Sequence, residues 1–185
     1  MDSRKELTKR LIADSFKALL CRYPFDKISI MMIANESDIR RPSFYNHFQD
    51  KYDLLEWIVA EDVIAPAREE LQRGEVRAAA ETFFRRLQED ALFYRRAFAV
   101  TGQNGFEEAF TQRMTAIFAA YIPDNTELPP PLTREDTAHF YAVCCVTFAK
   151  NWLERGKEST PEALAEAYSF LLRHSIRSLN RKNHE

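Results

Sequence analysis

Apolar residues in this chain recur at every third or fourth position almost from end to end, and little interrupts them. Leu7, Leu11, Ile12, Phe16, Leu19 and Leu20 form one such series, and Phe106, Phe110, Met114, Ile117, Phe118 and Tyr121 form another. That spacing lays a stripe along one face of an α-helix. Only 4 Gly and 8 Pro occur among 185 residues, too few for the turn every 8–12 residues or so that a β-sandwich or barrel requires. The fold class is therefore all-α, with about nine helices expected from the periodic segments and their breaks.

The breaks place the segments. A first helix runs from Ser3 to Arg22 and is stopped by Pro24. A short second helix starts at Ser29, a good cap, and runs to about Glu36 with Ile30, Ile33 and Ala34 inward. Ser37-Asp38-Ile39 breaks the chain, and a third helix follows from Arg41 to Phe48 with Pro42 in its first turn. Asp50, with Asp53 three residues on, caps a fourth helix that continues towards Leu71 and bends near Pro66. Helices are then expected over Glu75–Gln88, Ala91–Val100 and Phe106–Tyr121. Pro123 to Leu132 reads as a stiff extended linker. Thr133 opens a long helix that ends at Gly156, and Ser159-Thr160-Pro161-Glu162 starts a last one reaching about Leu179.

Two short helices around a three-residue break, resting on a longer first helix, have helix-turn-helix proportions. Ile33, Ala34, Ile39, Phe44 and Phe48 supply the inward set, and Ala34 is small where the helices meet. Arg40, Arg41, Ser43, Asn46 and His47 supply a polar outward face for a DNA groove. Ser29 and Lys51 sit at helix N-termini, where the dipole favours a phosphate. The charge agrees: residues 1–51 carry a net +3 and the remainder −5 within a total of −2, a mildly basic head on an acidic body.

The run Ile39-Arg40-Arg41-Pro42-Ser43-Phe44-Tyr45-Asn46-His47-Phe48, followed by Asp50-Lys51-Tyr52-Asp53-Leu54-Leu55, resembles the DNA-binding domain of the TetR family. The likeness covers about residues 5–60. More weakly, Phe93-Tyr94-Arg95-Arg96-Ala97-Phe98, Gly102-Gln103-Asn104-Gly105-Phe106 and Asn151-Trp152-Leu153-Glu154-Arg155-Gly156 resemble the C-terminal domain of the subgroup that includes the dihydroxyacetone-kinase operon activator. The resemblance implies a homodimer with a helix-turn-helix head (residues 1–50) and a helical regulatory and dimerisation domain (residues 51–185). It places Arg40, Arg41 and Ser43 at the front of the recognition helix, and Ser29, Tyr45, His47 and Lys51 at phosphates. It implies paired long C-terminal helices. It also implies a small-molecule effector or a co-regulator protein acting on the body. Two positions depart from the family. Asp38 stands where the turn usually has Gly, and Pro42 replaces a common Gly and removes one backbone donor from the groove face.

For the body, Phe98, Gln103, Asn104, Phe110, Phe148 and Trp152 are candidate effector contacts, since fourteen Phe permit an aromatic-lined pocket. Phe140, Cys144, Phe148 and Trp152 make an i, i+4 stripe that suits core or dimer interface. Three cysteines, two of them adjacent, form neither a disulfide framework nor a metal-ligand spacing, and a reducing cytoplasm is expected. His47 has no second ligand at a metal spacing. No cofactor, metal, catalytic motif or membrane partner is expected. The reading is a DNA-binding transcriptional regulator on double-stranded DNA with a palindromic operator. An all-α enzyme, or a helical interaction module without DNA binding, is the alternative.

Overall fold

The computed structural model describes residues 3–101, 105–156 and 159–174, and among them every regular element is helical. The head comprises α1 (Ser3–Arg22), a 3-10 turn at Phe25–Lys27, α2 (Ile30–Glu36) and α3 (Arg41–Tyr45). The body comprises α4 (Lys51–Val59), a π-helical turn (Ala60–Ile64), α5 (Ala65–Gln72), α6 (Val76–Glu89), α7 (Ala91–Phe98), α8 (Phe106–Tyr121), α9 (Arg134–Arg155) and α10 (Pro161–Arg173). Because α4, the π turn and α5 run on as one helix, the ten α segments make nine helical bodies among the described residues.

The start signals in the sequence act as local chemistry requires. Ser29 Oγ accepts from Met32 N at 3.2 Å. Asp50 accepts from the backbone of Tyr52 and Asp53 at 2.8 and 2.9 Å, and Asp53 in turn accepts from Gln49 N at 2.9 Å. Thr133 and Asp136 form a reciprocal capping box, and Gly156 closes α9 at φ 58° in the left-handed region. Each such cap satisfies helix-terminal groups that burial would otherwise leave without partners.

The turn between α2 and α3 is a Schellman closure. Ile39 N donates to Ala34 O at 2.9 Å and Asp38 N to Asn35 O at 3.2 Å. Asp38 occupies the left-handed position at φ 52°. Ser37 is buried and its hydroxyl donates to Ile33 O at 2.7 Å. The departure from glycine is therefore accommodated, at the cost of the Cβ strain that the left-handed region imposes on an L-residue.

Four expectations change. Leu7 and Leu11 do not join the core: they are 71% and 48% exposed, because the core begins at Ile12. The third helix is shorter than Arg41–Phe48; it ends at Tyr45 and runs on as a hydrogen-bonded turn, with Phe48 N donating to Phe44 O at 3.0 Å. The segment from Pro123 to Leu132 is folded by two turns, closed by Thr126 N to Pro123 O at 3.1 Å and Leu132 N to Pro129 O at 3.0 Å, so it is not an extended rod. The bend near Pro66 is a π turn just before it, where Ala65 N donates to Ala60 O five residues back. Pro66 has no N–H to give and its ring crowds the carbonyl of Asp62, and the wider turn relieves both problems. The last helix is described to Arg173; its expected end near Leu179 lies outside the described residues.

One apolar core runs through head and body, from Ile12 to Tyr168. Aromatic rings form much of its length. Phe16 of α1 meets Phe93 of α7 at 6.3 Å between centroids, Phe93 meets Tyr94 at 5.0 Å, and Tyr94 meets Phe106 at 6.5 Å. Phe106 then meets Phe110 at 5.5 Å, Phe110 meets Phe83 at 5.9 Å, and Phe83 meets Phe84 at 5.2 Å.

Replacing Asp38 removes or worsens the strain in the turn. Asp38→Gly should stabilise the chain by about 0.5–1 kcal/mol, a rise in thermal midpoint of roughly 1–4 °C. Asp38→Val should lower the midpoint. Circular-dichroism melts of the two variants check this, and a Gly variant no more stable than the parent would refute the strain.

Candidate nucleic-acid interface

Phe44 and Phe48 are fully or almost fully buried and hold α3 against the head, with centroids 5.8 Å apart. The opposite face is open. Arg40 is the extended N-cap residue of α3, and Arg40, Arg41, Pro42, Tyr45 and Asn46 are exposed while Ser43 is half-buried. Arg41 is already organised: its guanidinium lies 5.7 Å from the Tyr45 ring centre, and its Nη2 donates to the Tyr45 hydroxyl at 3.3 Å. This contact limits the rotamers of a long side chain before any ligand arrives. Tyr45 also meets Phe44 edge-on at 5.6 Å, so one end of its ring is packed and the hydroxyl is in solvent.

The flanks divide. Ser29 is exposed at the N-terminus of α2, with its hydroxyl on Met32 N. His47 is half-buried, and its Nδ1 is buried with no hydrogen-bond partner among the described residues. Burial first, then the charges of Lys5 and Lys9, hold its imidazole below 6.5. Lys51, expected as a phosphate donor at a helix N-terminus, is engaged within the chain when no DNA is present. Its ammonium donates to Phe25 O at 2.8 Å and Ile28 O at 3.0 Å and sits 4.3 Å from the Phe25 ring centre. Burial pushes it below its usual 10.5, with Asp26 and Asp50 pulling it partly back. In the free protein Lys51 pins α4 to the 3-10 turn.

Lys5 and Lys9 were missed by sequence reasoning. They lie one turn apart on α1, close enough to His47 to depress its protonation, and Lys9 also sits 5.8 Å from the Phe48 ring centre. Their i, i+4 spacing on the basic end of α1 was the available signal.

Behind this face, a cluster of charges joins head to body. Lys17 of α1 reaches Asp62 of the π turn at 2.5 Å and Asp90, between α6 and α7, at 2.7 Å. Burial alone would lower the Lys17 pKa, but the bonds to Asp62 and Asp90 outweigh it and leave the group raised. Arg10 also pairs with Asp62, and Arg96 of α7 donates to Leu20 O of α1 at 3.2 Å.

Deeper in the body is a cavity of about 280 Å³. Its wall is drawn from Ile64, Ala67 and Leu71, from Ala79, Phe83 and Phe84 of α6, from Met114, Ile117, Phe118 and Tyr121 of α8, from Tyr141 and Cys145 of α9, and from Tyr168 and Leu172 of α10. Of the expected effector contacts that are described, Phe98, Phe110, Phe148 and Trp152, none is on this wall. Phe98 and Phe110 are buried against each other and Phe106, with centroids 6.1, 5.1 and 5.5 Å apart. Phe148 packs on Phe84 and Tyr168, each at 5.7 Å, and Trp152 packs on Phe84 at 6.3 Å. Gln103 and Asn104 lie outside the described residues. The α9 stripe is core at Phe148 and Trp152, while Phe140 is 62% exposed. Cys145 is buried and its thiol is pushed up to about 12, which leaves it inert.

Among the described residues no group of three His, Cys, Asp or Glu could hold a metal, and no helix is long and apolar enough to cross a membrane.

Comparison with known proteins gives these parts a context. The family model TetR_C_8, described as "Transcriptional regulator C-terminal region", matches residues 75–174, more than half of the chain. The HTH-type dhaKLM operon transcriptional activator DhaS of Lactococcus lactis subsp. lactis (strain IL1403) is 30% identical over 104 residues, 56% of this chain and 54% of that protein. The match thus spans about half the length of that curated relative. Two solved structures share the fold. Dihydroxyacetone kinase operon activator DhaS has a TM-score of 0.61 at 23% identity, over 94% of this chain and 95% of its own. NalD, the secondary repressor of the MexAB-OprM multidrug efflux pump in Pseudomonas aeruginosa, has a TM-score of 0.61 at 16% identity, over 93% and 97%. These relatives are described as an activator and a repressor of transcription. The chain belongs to the TetR family of helix-turn-helix, DNA-binding transcriptional regulators, with a C-terminal domain resembling that of DhaS.

Proposed function

We propose that the chain binds a near-palindromic operator as a homodimer through a head of residues 1–50, under control of an effector or co-regulator protein acting on residues 51–185. The observation that carries the reading is the polar face of α3. Arg40, Arg41, Ser43 and Asn46 point away from a helix wedged by Phe44 and Phe48, and Tyr45, His47, Ser29, Lys5 and Lys9 flank it. Arg40 and Arg41 suit base edges, where a bidentate arginine discriminates by about 1–3 kcal/mol. Ser29, Tyr45, Lys5 and Lys9 suit phosphates, and Lys51 acts by fixing α4 to the head. Two recognition helices about 34–36 Å apart would enter successive major grooves.

Dimerisation is supported by bare apolar faces on the last two helices. Phe140 and Val143 of α9 and Phe170 and Leu171 of α10 are all more than 40% exposed. Control from the body has a physical route. Ile64 lines the cavity, while Asp62, two residues earlier on the same π turn, holds Lys17 and Arg10 of α1. An effector favouring one setting of this turn shifts the population of head orientations.

Three outcomes are expected. In operator titrations, Arg41→Ala should cost about 1–3 kcal/mol and relax discrimination at one base, while Lys9→Ala should weaken all sequences alike and reduce the salt slope by about one unit. An Arg41→Ala protein with unchanged affinity and selectivity would remove α3 from the interface.

His47 gives a pH signature. Its folded pKa lies below the ordinary 6.5, so its contribution to stability is present above 6.5 and falls away as pH drops through the folded value. A nearby phosphate favours the protonated ring, so operator affinity should rise over the same fall in pH. His47→Gln should flatten both slopes, measured by melts and by titration at constant ionic strength.

For the assembly, light scattering should give a dimer for the parent chain and a monomer for Phe140→Glu combined with Leu171→Glu. A dimer that survives the pair would place the interface elsewhere.

A further inference from the structure

Among the described residues the cavity wall contains one ionised side chain. Arg68 of α5 lines the cavity, and no described carboxylate does. Arg68 and Tyr121 also line a shallower, more polar groove with Gln72 and Gly74, so both stand where the apolar chamber meets solvent. Among the described residues Arg68 makes no ion pair, whereas Arg73, Arg77 and Arg86 of the same region each pair with a glutamate. The acids beside it do not serve it. Glu69 and Glu70 follow it directly in the helix and so face away from it, and Glu70 is occupied with Thr82 of α6.

From this arrangement we infer that the effector is an amphipathic monoanion: an apolar, ring-sized body in the chamber and one carboxylate-like group at the mouth, met by the Arg68 guanidinium beside the Tyr121 hydroxyl. This rests on the reading of the cavity as the effector site and adds the chemical class of the ligand. Three physical points support it. A wall mostly of Phe, Ile, Leu, Met and Ala side chains, with Tyr141, Tyr168 and Cys145 as its few polar groups inside, has little to offer a buried charge, so an ionised head must stay at the rim, where water and a counter-charge remain. Among the described residues the one charge at that rim is positive. A cation entering the same chamber would meet Arg68 and no acid, which disfavours the cationic amphiphiles that an apolar, aromatic wall would otherwise accept. The volume, about 280 Å³, lies near the lower end of small-molecule sites, where a fused two-ring body fits.

Three isosteric probes test this on the full chain by isothermal titration: 2-naphthoate, 2-naphthamide and 2-naphthylmethylammonium. The expected order is anion, then neutral amide, then cation. The anion should bind about fivefold tighter than the amide, a gap set by a partly solvated ion pair. Arg68→Met, a change at an exposed position, should bring the anion and amide within about twofold, and Arg68→Lys should restore part of the gap. Raising the salt concentration should weaken the anion only. Ala80→Phe, which fills the chamber, should abolish binding of all three. The inference is overturned if the amide or the cation equals the anion, or if Arg68→Met leaves the preference intact. It is also overturned if Ala80→Phe still binds the anion, which would place the site elsewhere. Failure of every probe to bind would remove the cavity as an effector site and the inference with it. Operator binding by the unliganded protein is measured separately and tests the DNA-binding reading alone.

Discussion

The Lys17 ammonium is the centre of the charge cluster that, with the shared apolar core, ties the first helix to the rest of the molecule. Lys17 lies on the body-facing side of the first helix, mostly buried, and its charge is tolerable only because Asp62 and Asp90 both reach it. A half-buried charge deprived of its partners costs several times what a surface pair contributes. Those two carboxylates therefore help to fix where the first helix sits, alongside the packing of Phe16 on Phe93. Asp90 belongs to the junction of α6 and α7, and Asp62 to the π turn beside the cavity. Any change in either is felt at the first helix, on whose outer end Lys5 and Lys9 sit beside His47.

The π turn has its own chemical cause. Pro66 forbids a regular helix at that point, and the extra residue accommodated before it rotates Asp62 and the residues around it relative to a continuous α-helix. Ile64 meets the chamber and Asp62 meets Lys17 on one irregular turn. Irregular helix turns of this kind are frequent at functional positions because they hold side chains where an ideal helix would not.

Much of this was legible in the sequence, and the limits have physical reasons. Caps are local, so Ser29, Asp50, Thr133 and Gly156 marked their helix ends correctly from neighbouring residues alone. The exposed polar face of α3 was legible for the same reason, since Phe44 and Phe48 fix which side is buried. The cavity wall was not. In α9 the stripe of Phe148 and Trp152 is apolar, and so is the adjacent face carrying Tyr141 and Cys145; only the second borders the void. Periodicity identifies buried faces but carries no information about where packing is incomplete. Lys17 and Lys51 were hidden by distance along the chain: the acids that hold Lys17 lie 45 and 73 residues away, and the carbonyls that hold Lys51 lie 26 and 23 residues away. The tight turn at Asp38 shows the converse, a residue outside the usual pattern whose side chain still permits the required backbone.

The file of rings from Phe16 to Phe84 begins under the head and ends on the chamber wall. Its contacts are edge to face at both ends and tilted between Tyr94 and Phe83, in an interior whose crystal-like packing density leaves little slack. The space in the chamber and the seat of the first helix thus share one unbroken run of packed rings.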